Sequence, residues 1–242
     1  CALVPGGGYA DYCVTPAGQV LPLPEGYTMA QAAGLPEVWF TVWANLAELG
    51  RLQARERVLV HGGASGIGLA AIQLARELGA ESVVTVGSPQ KAQFCVDFGA
   101  RAAIDYHRED FAAQIAQLYH GEGVDVVLDM IGAAYLTRNL QVLRRDGRLV
   151  FIAFQQGSRA QLDLRDILAR RLHLTGSTMR PRSVAEKTRI RDALRQRIWP
   201  ALSDGRVRTH VHATFAMQDA AQAHLLMESG QHIGKIVLQM RA

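Results

Sequence analysis

Cysteine is scarce: three residues in 242, at positions 1, 13 and 95. They are too few and too scattered for a disulfide framework or a zinc cluster, and no C-x-x-C spacing occurs, so a reducing cytoplasm is the expected compartment. Long apolar runs are also missing; none approaches the roughly 20 residues that cross a bilayer. The opening residues lack the pattern of a secretory signal. Lysine appears only at 91, 187 and 235, so arginine carries the net charge of +4. The basic residues are scattered, with local groups at Arg170-Arg171 and Arg180-Pro-Arg182. No aromatic residues are interleaved with them, and nucleic-acid binding is not expected. Internal repeats and low-complexity tracts are absent as well.

What remains is an ordinary globular composition, 49% hydrophobic and 20% charged, long enough for one large or two modest domains. The chain opens on Cys1 and runs at once into CALVPGGGYADYCVTP, which reads as a domain already under way and predicts a segment upstream.

One stretch organises the rest. Val58-Leu59-Val60 is an uninterrupted β-forming run, as in a parallel strand buried on both faces. His61-Gly-Gly-Ala-Ser-Gly-Ile-Gly68 follows as a turn, and Leu69, Ile72, Leu74 and Leu78 then mark an amphipathic helix. A strand feeding a glycine turn at a helix N-terminus offers free N–H groups and a positive helix end to a diphosphate. The spacing departs from strict G-x-G-x-x-G, so a plain tight turn is the competing reading.

Along the chain, Tyr9–Val14 and Gln19–Leu23 read as strands, and Thr28 as the cap of a helix over Met29–Ala33. An apolar helix is expected over Glu37–Leu49, with Gly50 as its stop. Trp39, Phe40 and Trp43 on it are substrate-side aromatics or, for at least two, core. Strands at Ser82–Val86, Ala102–Asp105, Val124–Asp129 and Gly147–Ala153 alternate with helices at Pro89–Phe98, Asp110–Tyr119 and Ala133–Leu143. Leu162–Arg170 is read as helical and Leu172–Thr175 as extended. This alternation predicts an α/β fold, a doubly wound parallel sheet with ligands at the C-terminal strand ends. Further on, Ser183–Trp199 reads as a basic helix ended by Pro200, followed by a strand at Val207–Phe215, a helix at Met217–Gly230 and a strand at Lys235–Met240.

An NAD site usually places a carboxylate about 20 residues after the glycine turn to bind the ribose diol. Here the second strand, VVTV, ends in Gly87-Ser88, and Lys91 follows one helical turn later. Without the acid a 2′-phosphate is not repelled, and Ser88 and Lys91 can bond and neutralise it, which favours NADPH. Alternatively, Ser88 only caps its helix and Lys91 is solvated. Tyr106, at the end of the third strand, is another candidate to flank the 2′-phosphate or the adenine.

HGGASGIGLAAIQLARELGA, VGSPQKAQFCVDFGA, IDYHREDF, DVVLDMIGAAYL, DGRLVFIAFQQG and HIGKIVLQM, in that order, resemble the medium-chain dehydrogenase/reductase superfamily. Within it the chain is similar to the zinc-free, zeta-crystallin-like quinone oxidoreductases. PGGGYADYCVTPAGQVLPLPEG and AAGLPEVWFTVW resemble its tumour-suppressor-inducible branch. The resemblance implies that residues 1–36 are the tail of a GroES-like substrate domain, 37–180 a Rossmann domain, and 181–242 a return to the substrate domain. It implies that Ser65, Gly66, Ile67 and Gly68 present backbone to the pyrophosphate, and that Gly87, Ser88, Lys91 and Tyr106 hold the 2′-phosphorylated ribose. Thr41 would lie against the nicotinamide. Ile131 and Gly132 would border the ribose, and Ala153, Phe154 and Gln155 would line the nicotinamide side, where relatives are richer in glycine. Ser177 and Thr178 would approach the carboxamide, and Lys235 would return from the C-terminus.

The resemblance further implies an NADPH-dependent reduction of quinones or enones by hydride transfer, with no acid/base triad and no metal. A homodimer through the Leu172–Thr178 edge is part of the same expectation. Zinc alcohol dehydrogenases need Cys/His/Glu ligands. Glu37 stands where they usually place a cysteine, and some of them use glutamate there. His210 and His212 share a strand face, a spacing more common for packed or surface histidines. Enoyl-thioester reduction, zinc alcohol dehydrogenase chemistry and cofactor binding without turnover are the alternatives.

Overall fold

The computed structural model of the chain describes residues 1–240. It divides into two compact units, residues 44–64 with 71–177, and residues 1–43 with 65–70 and 178–242.

The first of these holds a six-stranded sheet. Its strands are β1 (Arg57–His61), β2 (Glu81–Val86), β3 (Ala102–Asp105), β4 (Val124–Asp129), β5 (Leu143–Phe151) and β6 (His173–Gly176). Every pairing is parallel and the order is β3-β2-β1-β4-β5-β6. The chain winds outward one way through β2 and β3, returns beside β1 as β4, and winds out the other way. Right-handed crossovers therefore place the linking helices on opposite faces of the sheet. Reading along the chain, α1 (Met29–Ala33) and α2 (Pro36–Val42) precede β1. Then come α3 (Gly66–Glu77), α4 (Pro89–Asp97), α5 (Phe111–Leu118), α6 (Leu136–Val142) and α7 (Leu164–Arg170).

The sequence explains this sheet directly. β1, β2 and β4 are runs of valine and leucine with almost no exposed surface, as strands covered on both faces must be. Phe111, Ile115, Tyr135 and Leu140, from α5 and the segment around α6, pack onto Leu59, Val83, Val127 and Leu149. Ser88 caps α4 by accepting the Lys91 N–H at 3.2 Å, with Pro89 at the first helical position.

The second unit contains α1, α2, α8 (Val184–Arg197), α9 (Trp199–Ser203), α10 (Ala220–Glu228) and a parallel pair, β7 (Val211–Ala216) and β8 (Lys235–Gln239). Thr28 and Gln31 form a reciprocal capping box at α1, and Ser183 with Glu186 does the same at α8. Leu35, Trp39, Phe40, Ile190, Leu194 and Trp199 are buried, so Trp39 and Phe40 are core residues. The Trp199 indole N–H donates to Pro22 O at 2.8 Å.

Several expectations need correction. Tyr9–Val14 and Gln19–Leu23 are not strands: Ala17–Gln19 is a 3-10 turn, and among the described residues the segment's ladder contact is the single antiparallel bridge Ala2↔Val20. A strand extends only where a neighbour takes up its backbone groups residue after residue, and here the pairing stops at that bridge and the adjoining Leu21 N–H to Cys1 O bond of 2.8 Å. The helix read over Glu37–Leu49 splits, its second part, Trp43–Leu49, being a π-helix, with the Gly50 N–H bonded to Asn45 O at 2.8 Å. Pro200 does not end the basic helix but sits in the first turn of α9, where its missing N–H costs nothing. The strand expected at Val207–Phe215 begins only at Val211.

Candidate functional site

In the sheet unit the expected residues gather at the C-terminal strand ends. Leaving β1, the chain turns sharply at Gly62 (φ +74°) and Gly63. A Cβ on Gly63 would lie 2.4 Å from Val84 Cβ, so only glycine lets the turn lie against β2. The Gly63 N–H bonds Thr85 O at 2.9 Å.

At the ends of β2 and β3, Gly87 meets Tyr106: a Cβ there would lie 2.6 Å from the tyrosine oxygen. Ser88 Oγ accepts from Lys91 N, which leaves its own O–H available to an acceptor outside the chain. Burial pulls the Lys91 ammonium below its ordinary value, with Cys95 opposing. Asp105, the carboxylate that ends β3, is buried and accepts the His107 N–H at 3.1 Å. Gly87, Ser88, Lys91 and Tyr106 thus share one corner of the sheet, and β2 ends there without an acid.

The loops after β4 and β5 are fastened to each other. Gln155 N–H bonds Met130 O, Gln156 N–H bonds Ile131 O, and Ala133 N–H bonds Gly157 O, at 2.8–3.1 Å. Gly132 has φ +88° and ψ −132°, a conformation open essentially to glycine alone, and a Cβ there would lie 2.5 Å from Gly157 O. Ile131, Gly132, Ala153, Phe154 and Gln155 are brought together in this way. The Phe154 ring is 53% exposed beside Phe151. Ser177, next to β6, donates to Asn45 Oδ1 at 2.9 Å.

Beneath these loops lies a buried polar chain that the sequence analysis did not identify. His61 Nδ1 contacts Thr85 Oγ1 at 2.9 Å, and His61 Nε2 contacts Asn139 Oδ1 at 2.7 Å. Asn139 Nδ2 donates to Asp129 Oδ2 at 3.1 Å. Asp129 in turn accepts the Ile131 N–H at 2.6 Å and the Gly132 N–H at 3.2 Å. Because Asp129 needs a donor, the amide of Asn139 is oriented, and His61 carries its proton on Nε2. Burial holds His61 down at about 4, with Asn139 opposing and Arg138 reinforcing the shift, so the ring is neutral at pH 7. Burial pushes Asp129 up to about 6, against its hydrogen bonds. The available signal was a polar residue at each of two otherwise apolar strand ends, and an asparagine on the apolar face of α6.

In the second unit, Ser65 caps the start of α3: its hydroxyl accepts the Gly68 N–H at 3.0 Å and its carbonyl the Leu69 N–H at 2.9 Å. Gly68 N–H is therefore already engaged. Gly66 and Ile67 occupy the open end, where helix N–H groups have no intrahelical partner. A Cβ on Gly66 would lie 2.5 Å from Lys235 Cδ, so the lysine stem crosses the helix start. Burial pulls the Lys235 ammonium down, while Glu37 opposes. Thr41 Oγ1 donates to Glu37 Oε1 at 3.4 Å, one turn back on α2. Thr178 is exposed. Among the described residues no group of three or more His, Cys, Asp or Glu side chains is placed to hold a metal ion, and no helix is long and apolar enough to cross a membrane.

Comparison with known proteins adds an independent line. Residues 66–195 match the family model described as zinc-binding dehydrogenase. A phenolphthiocerol/phthiocerol polyketide synthase protein of Mycobacterium tuberculosis is 32% identical over 235 residues, which are 97% of this chain and 11% of that protein. The chain thus spans about a tenth of this relative's length. The structure of an NAD-dependent alcohol dehydrogenase superposes with a TM-score of 0.84 at 29% identity, over 97% of this chain and 66% of that one. The Escherichia coli quinone oxidoreductase complexed with NADPH superposes with a TM-score of 0.80 at 28% identity, over 92% and 68%. These relatives agree on the superfamily and do not single out a branch of it.

Proposed function

This chain belongs to the zinc-binding dehydrogenases of the medium-chain dehydrogenase/reductase superfamily, and from that premise we propose that it is an NADPH-dependent reductase of quinones or α,β-unsaturated carbonyls acting without zinc. The observation that carries the cofactor choice is the corner at Gly87. β2 ends there without a carboxylate, Ser88 and Lys91 follow it within one helical turn, and the phenol of Tyr106 lies against Gly87. A ribose 2′-phosphate needs hydrogen-bond donors and positive charge, which this corner supplies. A carboxylate placed for a ribose diol, as in NAD sites, is missing. The likeness to an enzyme solved with NADPH supports the same choice.

In this reading, Ser65, Gly66, Ile67 and Gly68 bind the pyrophosphate, chiefly through the open N–H groups of Gly66 and Ile67. Lys235 adds positive charge at that helix start, and the fastened loops carrying Ile131, Gly132, Ala153, Phe154 and Gln155 border the ribose and nicotinamide. Thr41, Ser177 and Thr178 orient the nicotinamide ring. When bound, the cofactor supplies hydride from its nicotinamide C4. The chain's own contribution is orientation and exclusion of water. Residues 1–36 and 181–242 serve as the substrate-side segment, and the exposed edge β6 as the seam of a homodimer. The three free cysteines fit a reducing cytoplasm.

The test is steady-state oxidation of NADPH and NADH with 1,4-naphthoquinone by the purified protein. NADPH should be strongly preferred, and Lys91→Ala should raise its KM about tenfold, the worth of one charge-assisted phosphate contact, while leaving NADH unchanged. Equal rates with the two cofactors in the parent protein would overturn the cofactor assignment. A second reading, an acyl-thioester acceptor, is favoured by the polyketide synthase relative; faster turnover of crotonyl-CoA than of quinone would select it. Tight NADPH binding without reduction of any acceptor would indicate a cofactor-binding protein.

A further inference from the structure

At the opposite end of the parallel sheet, where the strands begin, a cleft of about 780 Å³ opens between the starts of β1 and β2 and the C-terminal ends of α3 and α5. We infer that this cleft is a second anion site, built for a small ligand carrying two or more phosphate groups. The inference does not depend on the reductase reading.

Four guanidiniums line it: Arg55, Arg57, Arg76 and Arg101. Two carboxylates share the lining. Glu122 holds Arg57 at 2.8 Å, and Glu81 lies 3.8 Å from Arg101. Arg57 is also fixed over the Tyr119 ring, 4.2 Å from its centroid, so its fork is ordered before any ligand arrives. The two helix C-termini each contribute about half a negative charge. Set against the arginines, this leaves the cleft with an excess of about one positive charge. One excess charge favours an anion, and four planar donors presented around one space favour an oligophosphate over a single carboxylate.

The backbone adds a separate observation. Arg55 has φ +69°, and its N–H is tied to Gly79 O at 2.7 Å. Left-handed backbone disfavours a long side chain and is usually given to Gly or Asn. Here it is spent on an exposed arginine that has no carboxylate partner among the described residues. Gly79 and Gly99 leave the floor of the cleft open beside it, and a Cβ on Gly99 would lie 3.5 Å from Arg76 Nη1.

The experiment is calorimetric titration of the whole chain with inorganic tripolyphosphate at low ionic strength, repeated with ATP and with citrate. Arg55→Asn keeps a residue that tolerates the left-handed backbone, and Arg101→Gln removes a second charge from an exposed position. Lys91→Ala marks the other end of the sheet. The expected result is saturable tripolyphosphate binding that weakens about tenfold in Arg55→Asn and in Arg101→Gln, is unchanged in Lys91→Ala, and falls steeply with added salt. ATP binding as tightly as tripolyphosphate identifies a phosphate-chain site open to free nucleotides; tripolyphosphate binding alone identifies an inorganic one. Absence of binding, binding that survives both arginine substitutions, binding lost in Lys91→Ala, or citrate binding as well as tripolyphosphate would each overturn the proposal.

Discussion

Replacing Asn139 with leucine should destabilise the sheet unit, and by more at pH 8 than at pH 5. Leucine keeps the branching and heavy-atom count of the side chain, so no cavity opens, and the extra bulk of its methyl groups acts alike at both pH values, so the pH difference isolates the lost polar contacts. It removes the acceptor of the His61 Nε2–H, held at 2.7 Å, and the donor to Asp129 Oδ2, held at 3.1 Å. A buried polar group left without a partner costs about 1–3 kcal/mol, and more where the group is charged, so the penalty at pH 8 should be about 3 kcal/mol. The pH dependence follows from Asp129, whose carboxyl is lifted from 3.8 to about 6 by burial. A folded-state pKa above the unfolded value means a contribution fully present below pH 4 and lost as pH rises through 6. For a lift of about two pH units that loss is roughly 3 kcal/mol. Asn139 donates to the ionised form, so removing it raises the folded pKa further and deepens the loss at high pH. At pH 5 Asp129 is largely protonated in both proteins, and only the orphaned His61 N–H separates them. Urea unfolding followed by far-UV circular dichroism at the two pH values should give penalties differing by about 1 kcal/mol or more. Asp129→Asn should flatten the parent's slope between pH 4 and 7. A penalty below about 1 kcal/mol, or one equal at both pH values, would refute the connected network.

The other expectations are simpler. Gly132→Ala forces a Cβ to 2.5 Å from Gly157 O at φ +88°, and should cost about 2 kcal/mol or more in unfolding experiments while loosening the loop after β5, read as faster amide exchange at Gln155 and Gln156. Arg148 is buried on β5, bonding Gly50 O at 2.8 Å and forking onto Glu56; Arg148→Met takes the cation from that carboxylate, which keeps the Gln53 N–H at 2.9 Å, and should lower stability by about 3 kcal/mol, with the melting temperature as the readout. Lys91→Ala should narrow the gap between NADPH and NADH through KM rather than kcat.

Features set by neighbouring residues were legible in the sequence. β3 and β4 fall at the expected residues; for β4 the valine-rich run bounded by turn residues leaves little choice, and β3 is bounded by Gly99 and by the turn after Asp105. Ser88 and Thr28 cap the helices that they were read to cap, since a cap is a contact between residues two or three apart. Features needing a distant partner were not legible. Tyr9–Val14 has the composition of a strand but joins no ladder among the described residues. β5 starts four residues earlier than expected, at Leu143, because Val124 pairs with it across a register shift. The His61–Asn139–Asp129 chain joins residues 78 and 10 positions apart, and no local pattern announces it. The site residues follow the same rule. Gly87, Ser88 and Lys91 lie within one turn of chain, whereas the closeness of Gly87 to Tyr106 depends on the β2–β3 pairing.

The buried network also sets stability against order at the strand ends. Ionising Asp129 costs the fold free energy, since the carboxylate is buried without a cation among its hydrogen-bond partners. The same ionisation strengthens its grip on the Ile131 and Gly132 N–H groups, because charge-assisted hydrogen bonds are roughly twice as strong as neutral ones. Those two residues are fastened by backbone bonds to the loop after β5, so the grip extends to Gln155 and Gln156. Raising the pH through 6 should therefore lower global stability while tightening both loops. A protein selected for stability alone would place an asparagine or an apolar residue at 129. Retaining an acid there fits a chain whose loop order at neutral pH matters more than its last few kcal/mol of stability.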